Sequence, residues 1–315
     1  MSASEKSDAN QPLVSIGIPT YNRPELLERT LSRITRQTYK NIEVIISDNA
    51  SPDPRVQEVI DKYKSVDKRV KSKRQSSIVT PYRNFIAVLQ ESCGEYFMWA
   101  ADDDAIEGWF VQRCVDKFLS HPELAFVTFE ANYFEQNFLS FDFFSEGSAF
   151  RETGSQTIYE RAGTIIRYGF GNLVYGMYRR DALVRDRQVM WERTRLSSAN
   201  ELPLLLLACQ RGEFLVMETV GLHKSVPRSV YEYAVWENTG GWAPDGPRLH
   251  PKSFFASAKY HLLSYVDVSS AVNLLEITAA EKLALKLRAA ARFASHFACV
   301  IIGYKPRLPR TPPHD

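Results

Sequence analysis

The sequence predicts a doubly wound α/β fold, a mostly parallel sheet flanked by helices, with a helical C-terminal extension. Three observations predict it. Short apolar runs alternate with helix-periodic segments through roughly the first 120 residues, the pattern that right-handed β-α-β crossovers produce. Three of those runs stop at a polar cluster, as strands do where their carboxyl ends open onto a ligand rim. Two long helix-periodic stretches stand near the C-terminus, Ser253 to Val266 and Ala279 to Ile302.

Leu13 to Ile18 is an apolar run closed by Pro19, the mark of a buried parallel strand. Pro24 then opens a helix, because its fixed φ and missing N–H cost nothing in a first turn. Leu26, Leu27, Leu31 and Ile34 recur behind it at helical spacing. Ile42 to Ile46 is a β-branched strand stopped by Ser47-Asp48-Asn49-Ala50-Ser51-Pro52, and a helix from about Arg55 to Tyr63 follows. Val70 to Ser77 is more polar and reads as an outer strand. Phe85 to Glu91 reads as helix, and Tyr96 to Ala101 as a buried strand running directly into Asp102-Asp103-Asp104.

Beyond Ala125 the alternation loosens. A strand is expected over Phe126 to Phe134, an aromatic-rich irregular stretch over Asn137 to Gly154, a helix over Glu201 to Arg211 and a strand over Phe214 to Val220. Glu232 to Pro251, with Trp236, Gly240, Gly241, Trp242, Pro244 and Gly246, has loop chemistry. The organisation expected is a disordered tail over 1–11, an α/β domain over 12–228 with halves at 12–122 and 123–228, a loop and helical extension over 229–304, and a proline-rich tail over 305–315.

The chain's 315 residues suffice for one large core with an appendage. Lys and Arg total 39 against 37 Asp and Glu, so the basic excess of a nucleic-acid binder is absent and no nucleic-acid partner is expected. Cys93, Cys114, Cys209 and Cys299 are far apart and form no CxxC pair. Neither a zinc cluster nor a disulfide framework is expected, and all four are predicted to be buried small apolar side chains. Met1 to Gln11 lacks the apolar stretch of a signal peptide, and no window reaches the roughly 18 apolar residues of a membrane span. The expected location is the cytoplasm.

The chemistry concentrates at the three strand ends. Three consecutive carboxylates repel one another unless a cation offsets them, and hard divalent ions such as Mg²⁺ or Mn²⁺ bridge such oxygens to substrate phosphates. Asp102, Asp103 and Asp104 are therefore candidate metal ligands; a solvated acidic turn or a helix N-cap is the plainer alternative. Asp48 stands in the same kind of place, suited to accept from a base N–H or a ribose hydroxyl, or else to close an Asx turn. Tyr21 is suited to stack on a base and Arg23 to meet a phosphate, or else both simply stand on an exposed loop. Arg83 and Asn84, opening the third helix, either reach this rim or cap the surface.

Together these stretches resemble the family-2 glycosyltransferases, whose fold is called GT-A. Val14-Ser15-Ile16-Gly17-Ile18-Pro19-Thr20-Tyr21-Asn22-Arg23 is similar to that family's opening strand, and Ile45-Ile46-Ser47-Asp48-Asn49-Ala50-Ser51 to its acidic second-strand motif. Gly94-Glu95-Tyr96-Phe97-Met98-Trp99-Ala100-Ala101-Asp102-Asp103-Asp104 is similar to its aspartate motif with the lead-in. The resemblance covers roughly Leu13 to Pro122 and fades beyond.

It implies a nucleotide diphosphate-sugar donor, with a UDP-sugar favoured, and a saccharide or lipid-linked acceptor. It also implies a divalent metal, Mn²⁺ or Mg²⁺, and inversion at the anomeric carbon. Pro19, Thr20 and Tyr21 would line the nucleoside pocket. Asp48 would bind the base, Arg83 would assist near the nucleotide, and Asp102 would touch ribose or metal. Asp103 or Asp104 would be the principal metal ligand; the acidic spacing admits two registers, one of which puts Ala101 in the first acidic position.

The family also needs a carboxylate base opening a helix in the second half. Ser197-Ser198-Ala199-Asn200-Glu201-Leu202-Pro203 is the best match and makes Glu201 the candidate, with Glu192 and Glu213 as fallbacks. A first-turn glutamate favoured by the helix dipole is the plainer reading of Glu201. His223 follows a strand and is a candidate for the metal or pyrophosphate, or a structural histidine. The rival functions are a sugar nucleotidyltransferase and a non-catalytic nucleotide- or sugar-binding module. Pro19-Thr20-Tyr21-Asn22-Arg23 stands where the first would carry a glycine-rich loop, and the aspartate cluster argues against the second.

The last helix has its own pattern. Leu283, Leu287, Ala290, Ala294, Phe297 and Ile301 fall on one stripe, while Lys282, Lys286, Arg288, Arg292 and His296 occupy an opposite arc of roughly 160°. Such a helix either packs its stripe on the core with the basic arc in solvent, or lies through residues 281–302 on an anionic membrane surface.

Overall fold

The structure is a computed structural model; it describes residues 11–134, 156–168, 171–185, 188–189, 201–225 and 251–302. The strands and helices of the first half alternate as the sequence predicts: β1 (Val14–Thr20), α1 (Pro24–Ile34), β2 (Ile42–Asp48), α2 (Pro54–Val66), β3 (Val70–Arg74), α3 (Pro81–Gln90) and β4 (Tyr96–Trp99). Each of the three helices carries proline in its first turn. Asp53 and Thr80 cap α2 and α3 through side-chain oxygens that accept from Arg55 and Arg83 backbone N–H.

The chain continues through β5 (Ala105–Ile106), α4 (Phe110–Ser120), β6 (Leu124–Phe134), α5 (Ile158–Tyr168), β7 (Met177–Arg179), β8 (Val184–Arg185), β9 (Gln188–Val189), α6 (Leu202–Ala208) and β10 (Glu213–Ser225). Helices α4 and α5 are not anticipated by the sequence reading. β10 runs five residues past its expected end at Val220.

Eight of these strands form one sheet in the order β3-β2-β1-β4-β7-β6-β10-β5, while β8 and β9 pair separately. The pairs β3–β2, β2–β1, β1–β4 and β6–β10 are parallel. β7 runs antiparallel between β4 and β6, and β5 antiparallel to β10. The sheet is therefore parallel through β4 and mixed beyond it. Every residue of β1 and of β2 is buried, which explains why Val14 to Ile18 and Ile42 to Ile46 read as apolar runs broken only by Ser15 and Glu43 rather than as alternating ones. Helix α3 lies close on β1 because residue 17 is glycine: a Cβ there would meet the Val88 side chain at 2.6 Å and Phe97 at 2.9 Å.

At the amino ends of β1 and β2 the core encloses a carboxylate. Glu43 accepts from Ser15 Oγ (2.6 Å) and from the Cys93 backbone N–H (2.8 Å), and pairs with Lys71 (3.0 Å). The Ser15 hydroxyl in turn accepts from the Gly94 N–H at 2.8 Å. Burial alone would raise the Glu43 carboxyl, but the bonds from Ser15, Cys93 and Lys71 overcome it and bring the pKa down to about 2. Cys114 and Cys209 are buried as predicted, whereas Cys93 is exposed, since it sits on the turn whose N–H serves Glu43. The side chain of Cys299 lies outside the described residues.

Helices Pro251–Asn273 and Ala279–Ile302 close the fold, packed on each other and on α6 and α5 respectively. The second of them seats Leu285, Ala289 and Phe293 in the core. This corrects the predicted inward stripe: Leu283 and Leu287 are 59% and 62% exposed, while Arg292 donates to the carbonyls of Ile165 and Ile166. Among the described residues no helix is long and apolar enough to cross a membrane.

Candidate functional site

The strand order turns back on itself at β1. The chain steps from β1 to β2 and β3 on one side, then returns to lay β4 on the other. Such a switch point leaves a crevice at the carboxyl rim, and here it collects Thr20 to Arg23, Asp48 to Ser51 and Asp102 to Asp104.

The first and third clusters are bonded together. Thr20 Oγ1 donates to Asp102 Oδ2 at 2.7 Å. Arg23 Nη1 reaches Asp102 Oδ1 at 3.2 Å and Asp103 Oδ2 at 3.0 Å. Asp102 is buried, and that burial raises its carboxyl above the ordinary carboxylate range. The bond from Thr20 and the charge of Arg23 oppose the rise, and the neighbouring Asp103 adds to it. A buried carboxylate raised in this way is a group that gains from a bound cation. Asp103 is more open, and its partner Arg23 is half exposed.

Asp104 turns to a different partner. Its carboxylate pairs with Lys224 of β10 at 2.5 Å, and its carbonyl accepts from Thr30 Oγ1 at 3.0 Å. The Lys224 ammonium also lies 3.7 Å from the centre of the Tyr175 ring, a cation–π contact shielded from water. Burial pushes the Tyr175 hydroxyl well up; Lys224 opposes this, while Asp104, Glu201 and Asp103 add to it. The Tyr175 hydroxyl thus feels the charge of Lys224 and of three carboxylates.

On the other flank Asp48 is buried at the end of β2. One oxygen accepts from the Ser51 N–H (3.0 Å) and Ser51 Oγ, and the other pairs with Arg74, whose second nitrogen donates to the Ser51 carbonyl. The loop is tight: Asn22 and Ala50 adopt positive φ of 56° and 58°. Asparagine tolerates that conformation, and alanine stores strain in it. Pro19 is buried within β1, and Tyr21, just past the end of that strand, is 40% exposed. Asn84 is a buried clamp, donating to the Ser47 carbonyl (3.0 Å) and the Thr20 carbonyl (3.4 Å) while accepting from Ser47 Oγ (2.7 Å). It holds the ends of β1 and β2 together. Arg83, one residue earlier, is exposed in the first turn of α3.

Glu201 stands at the N-cap of α6, half buried, with its carbonyl accepting from Leu204 and Leu205. His223 Nε2 meets Glu107 Oε1 at 2.7 Å, on the opposite strand face from Lys224. The basic group that reaches the aspartates is therefore Lys224 rather than its histidine neighbour. Glu213 begins β10 and lies roughly 30 Å of strand away from Lys224. Glu192, Phe138 to Phe150, Trp236 and Trp242 lie outside the described residues.

Among the described residues no three His, Cys, Asp or Glu side chains form a metal-holding group. Asp102 and Asp103 nonetheless suit a hard divalent ion of the kind bound through one or two carboxylates plus substrate phosphates. Arg74, Tyr175 and Lys224 are missing from the sequence reading. Arg74 ends an outer strand at the same rim, a signal that was available; Tyr175 and Lys224 lie where no motif points.

The model of the Glycosyl transferase family 2 matches residues 15–183. The chain belongs to that family. It is 40% identical over 97 residues to the abequosyltransferase RfbV of Salmonella typhimurium, covering 30% of this chain and 29% of that protein. It is 32% identical over 96 residues to the GalNAc(5)-diNAcBac-PP-undecaprenol beta-1,3-glucosyltransferase of Campylobacter jejuni, covering 30% and 31%. The chain thus spans less than a third of the length of either relative.

The crystal structure of S. aureus TarS 1-349 in complex with UDP-GlcNAc superposes with a TM-score of 0.60 at 15% identity, covering 90% of this chain and 72% of that one. The mannosyltransferase PcManGT of Pyrobaculum calidifontis, in complex with GDP-Man and Mn²⁺, gives a TM-score of 0.56 at 17% identity, covering 94% and 87%. The fold of this family-2 chain is GT-A-like.

Proposed function

We propose that this chain transfers a sugar from a UDP-sugar to an acceptor hydroxyl of a saccharide or lipid-linked glycan, by metal-dependent single displacement with inversion. The observation that carries the reading is the Thr20–Asp102–Arg23–Asp103 cluster at the switch point, between the open Tyr21 and the Asp48 loop. In this reading residues 12–228 form the catalytic domain, 12–122 holding the donor and 123–228 the acceptor. The enzyme works in the cytoplasm, peripherally at the inner face of the cell membrane, in polysaccharide or other glycoconjugate assembly.

Tyr21 stacks on the base, with Pro19 and Thr20 forming the pocket wall beneath it. Asp48 recognises the base by exchanging Arg74, which is half exposed and has the Ser51 carbonyl to retain it. Arg83 approaches the diphosphate from the first turn of α3. Asp102 and Asp103 would hold Mn²⁺ or Mg²⁺, which would supply positive charge to the departing diphosphate. Asp104 stays with Lys224, and His223 with Glu107. Glu201 takes the acceptor proton as that oxygen bonds the anomeric carbon, and the carbon–phosphate-oxygen bond breaks with its electron pair on the diphosphate. Arg23, half exposed beside the same carboxylates, is placed to meet the phosphates.

Calorimetric titration with UDP, GDP and dTDP, with and without Mn²⁺, tests this. One nucleotide should bind only with Mn²⁺ present and lose that binding in Asp103→Ala. Absence of binding by all three under both conditions would sink the donor site. Slow hydrolysis of the matching nucleotide-sugar separates an enzyme from a binding module.

A further inference from the structure

The Ala279–Ile302 helix is fastened to the protein by its polar side. Arg292 donates to the last carbonyls of α5, Lys282 to the Asn273 carbonyl, and the Arg288 guanidinium lies 5.0 Å from the centre of the Tyr159 ring. The buried seam is Leu285, Ala289 and Phe293. Leu283, Leu287, Ala291, Ala294 and Ala298 face outward and are exposed. At 100° per residue these five fall within an arc of about 80°.

No polar residue enters that arc between Ala280 and Ala298. A solvent-facing helix surface that is apolar over five turns is not an ordinary one. Its borders are basic. Lys286 and Arg288 each lie roughly 60° beyond an edge of the arc. The helix carries four Lys and Arg, namely Lys282, Lys286, Arg288 and Arg292, against the single acid Glu281. Leucines at the centre with Lys286 on one flank and the exposed Arg288, seated beside Tyr159, on the other suit an anionic lipid surface: the leucines enter the acyl boundary, the Lys286 stem reaches back to the headgroups, and Arg288 adds its charge from where it sits.

We propose that this face docks the protein on an anionic bilayer. The occupant is lipid rather than a second copy, because a self-complementary interface would set the basic borders of two helices against each other. With only two leucines to insert, the attachment is reversible and depends on lipid charge. The inference does not rest on the transfer reaction, since vesicle binding is measured without donor or acceptor.

The test is co-sedimentation of the full chain with vesicles of phosphatidylglycerol and phosphatidylcholine against vesicles of phosphatidylcholine alone. The double variant Leu283→Gln, Leu287→Gln carries the question. Leu262→Gln, at an equally exposed leucine of the neighbouring helix, is the control. Expected is salt-sensitive binding to the anionic vesicles only, about tenfold weaker in the double variant and unchanged in the control. Nucleotide binding should be equal in all three proteins. Failure of the parent to bind anionic vesicles, or equal binding by the double variant, overturns the proposal. So does a dimer that the two glutamines dissolve without any vesicle binding.

Discussion

Glu43→Gln isolates the charge that the sheet encloses far from the crevice. The substitution keeps the side chain's shape and one acceptor oxygen for Ser15 and Cys93 but removes the charge that faces Lys71. Lowering the carboxyl from its ordinary 4.5 to about 2 corresponds to roughly 3 kcal/mol of stability at neutral pH. Because the folded-state pKa lies below the unfolded one, that contribution is complete above about pH 5 and disappears as the pH falls towards 2. At pH 3 about 1.4 kcal/mol should remain. Urea unfolding of parent and variant at pH 7, 4 and 3 reads the difference directly as a gap between the two free energies. The gap should narrow with each step down in pH. A gap that stays constant across the series, or one under about 1 kcal/mol at pH 7, would refute the account of a carboxylate stabilised by hydrogen bonds.

Lys224→Met should lower stability by about 3 to 5 kcal/mol, because it leaves the Asp104 carboxylate buried without its cation. The double variant with Asp104→Asn should recover most of that loss in thermal unfolding. Glu201→Gln should leave the nucleotide affinity of the proposed donor site unchanged while cutting transfer by about 10² to 10⁴, the usual worth of a positioned base, as followed by nucleotide release.

The first half of the fold was legible because each signal there is local. Pro24, Pro54 and Pro81 stand where three helices begin, and the fully buried β1 and β2 announce themselves as apolar runs interrupted only by Ser15 and Glu43. The aspartate triplet was legible as a charge problem requiring a cation, though not which aspartate takes which partner. That depends on Lys224, reached only by a strand that runs beyond its expected end and pairs its lysine with a residue 120 positions earlier. The last helix failed for a different reason. Its sequence carries two apolar faces, one with Leu283 and Leu287, the other with Leu285, Ala289 and Phe293. Periodicity measures both, and only packing against α5 and the preceding helix decides which turns inward. The antiparallel β7 was equally hidden: three residues inserted between β4 and β6 leave no period to detect.

The Asp104–Lys224 pair also imposes an order in time. At about 5 to 20 residues per second, the ribosome needs roughly 6 to 24 s to deliver Lys224 after Asp104. During that interval β1 to β4 can already pair, since their parallel contacts are complete by Trp99. At that stage the chain carries the rim residues of β1, β2 and the aspartate loop but not yet the lysine that pairs with Asp104. Until β10 is made, Arg23 is in place to offset Asp102 and Asp103, but the ammonium that offsets Asp104 has yet to be synthesised.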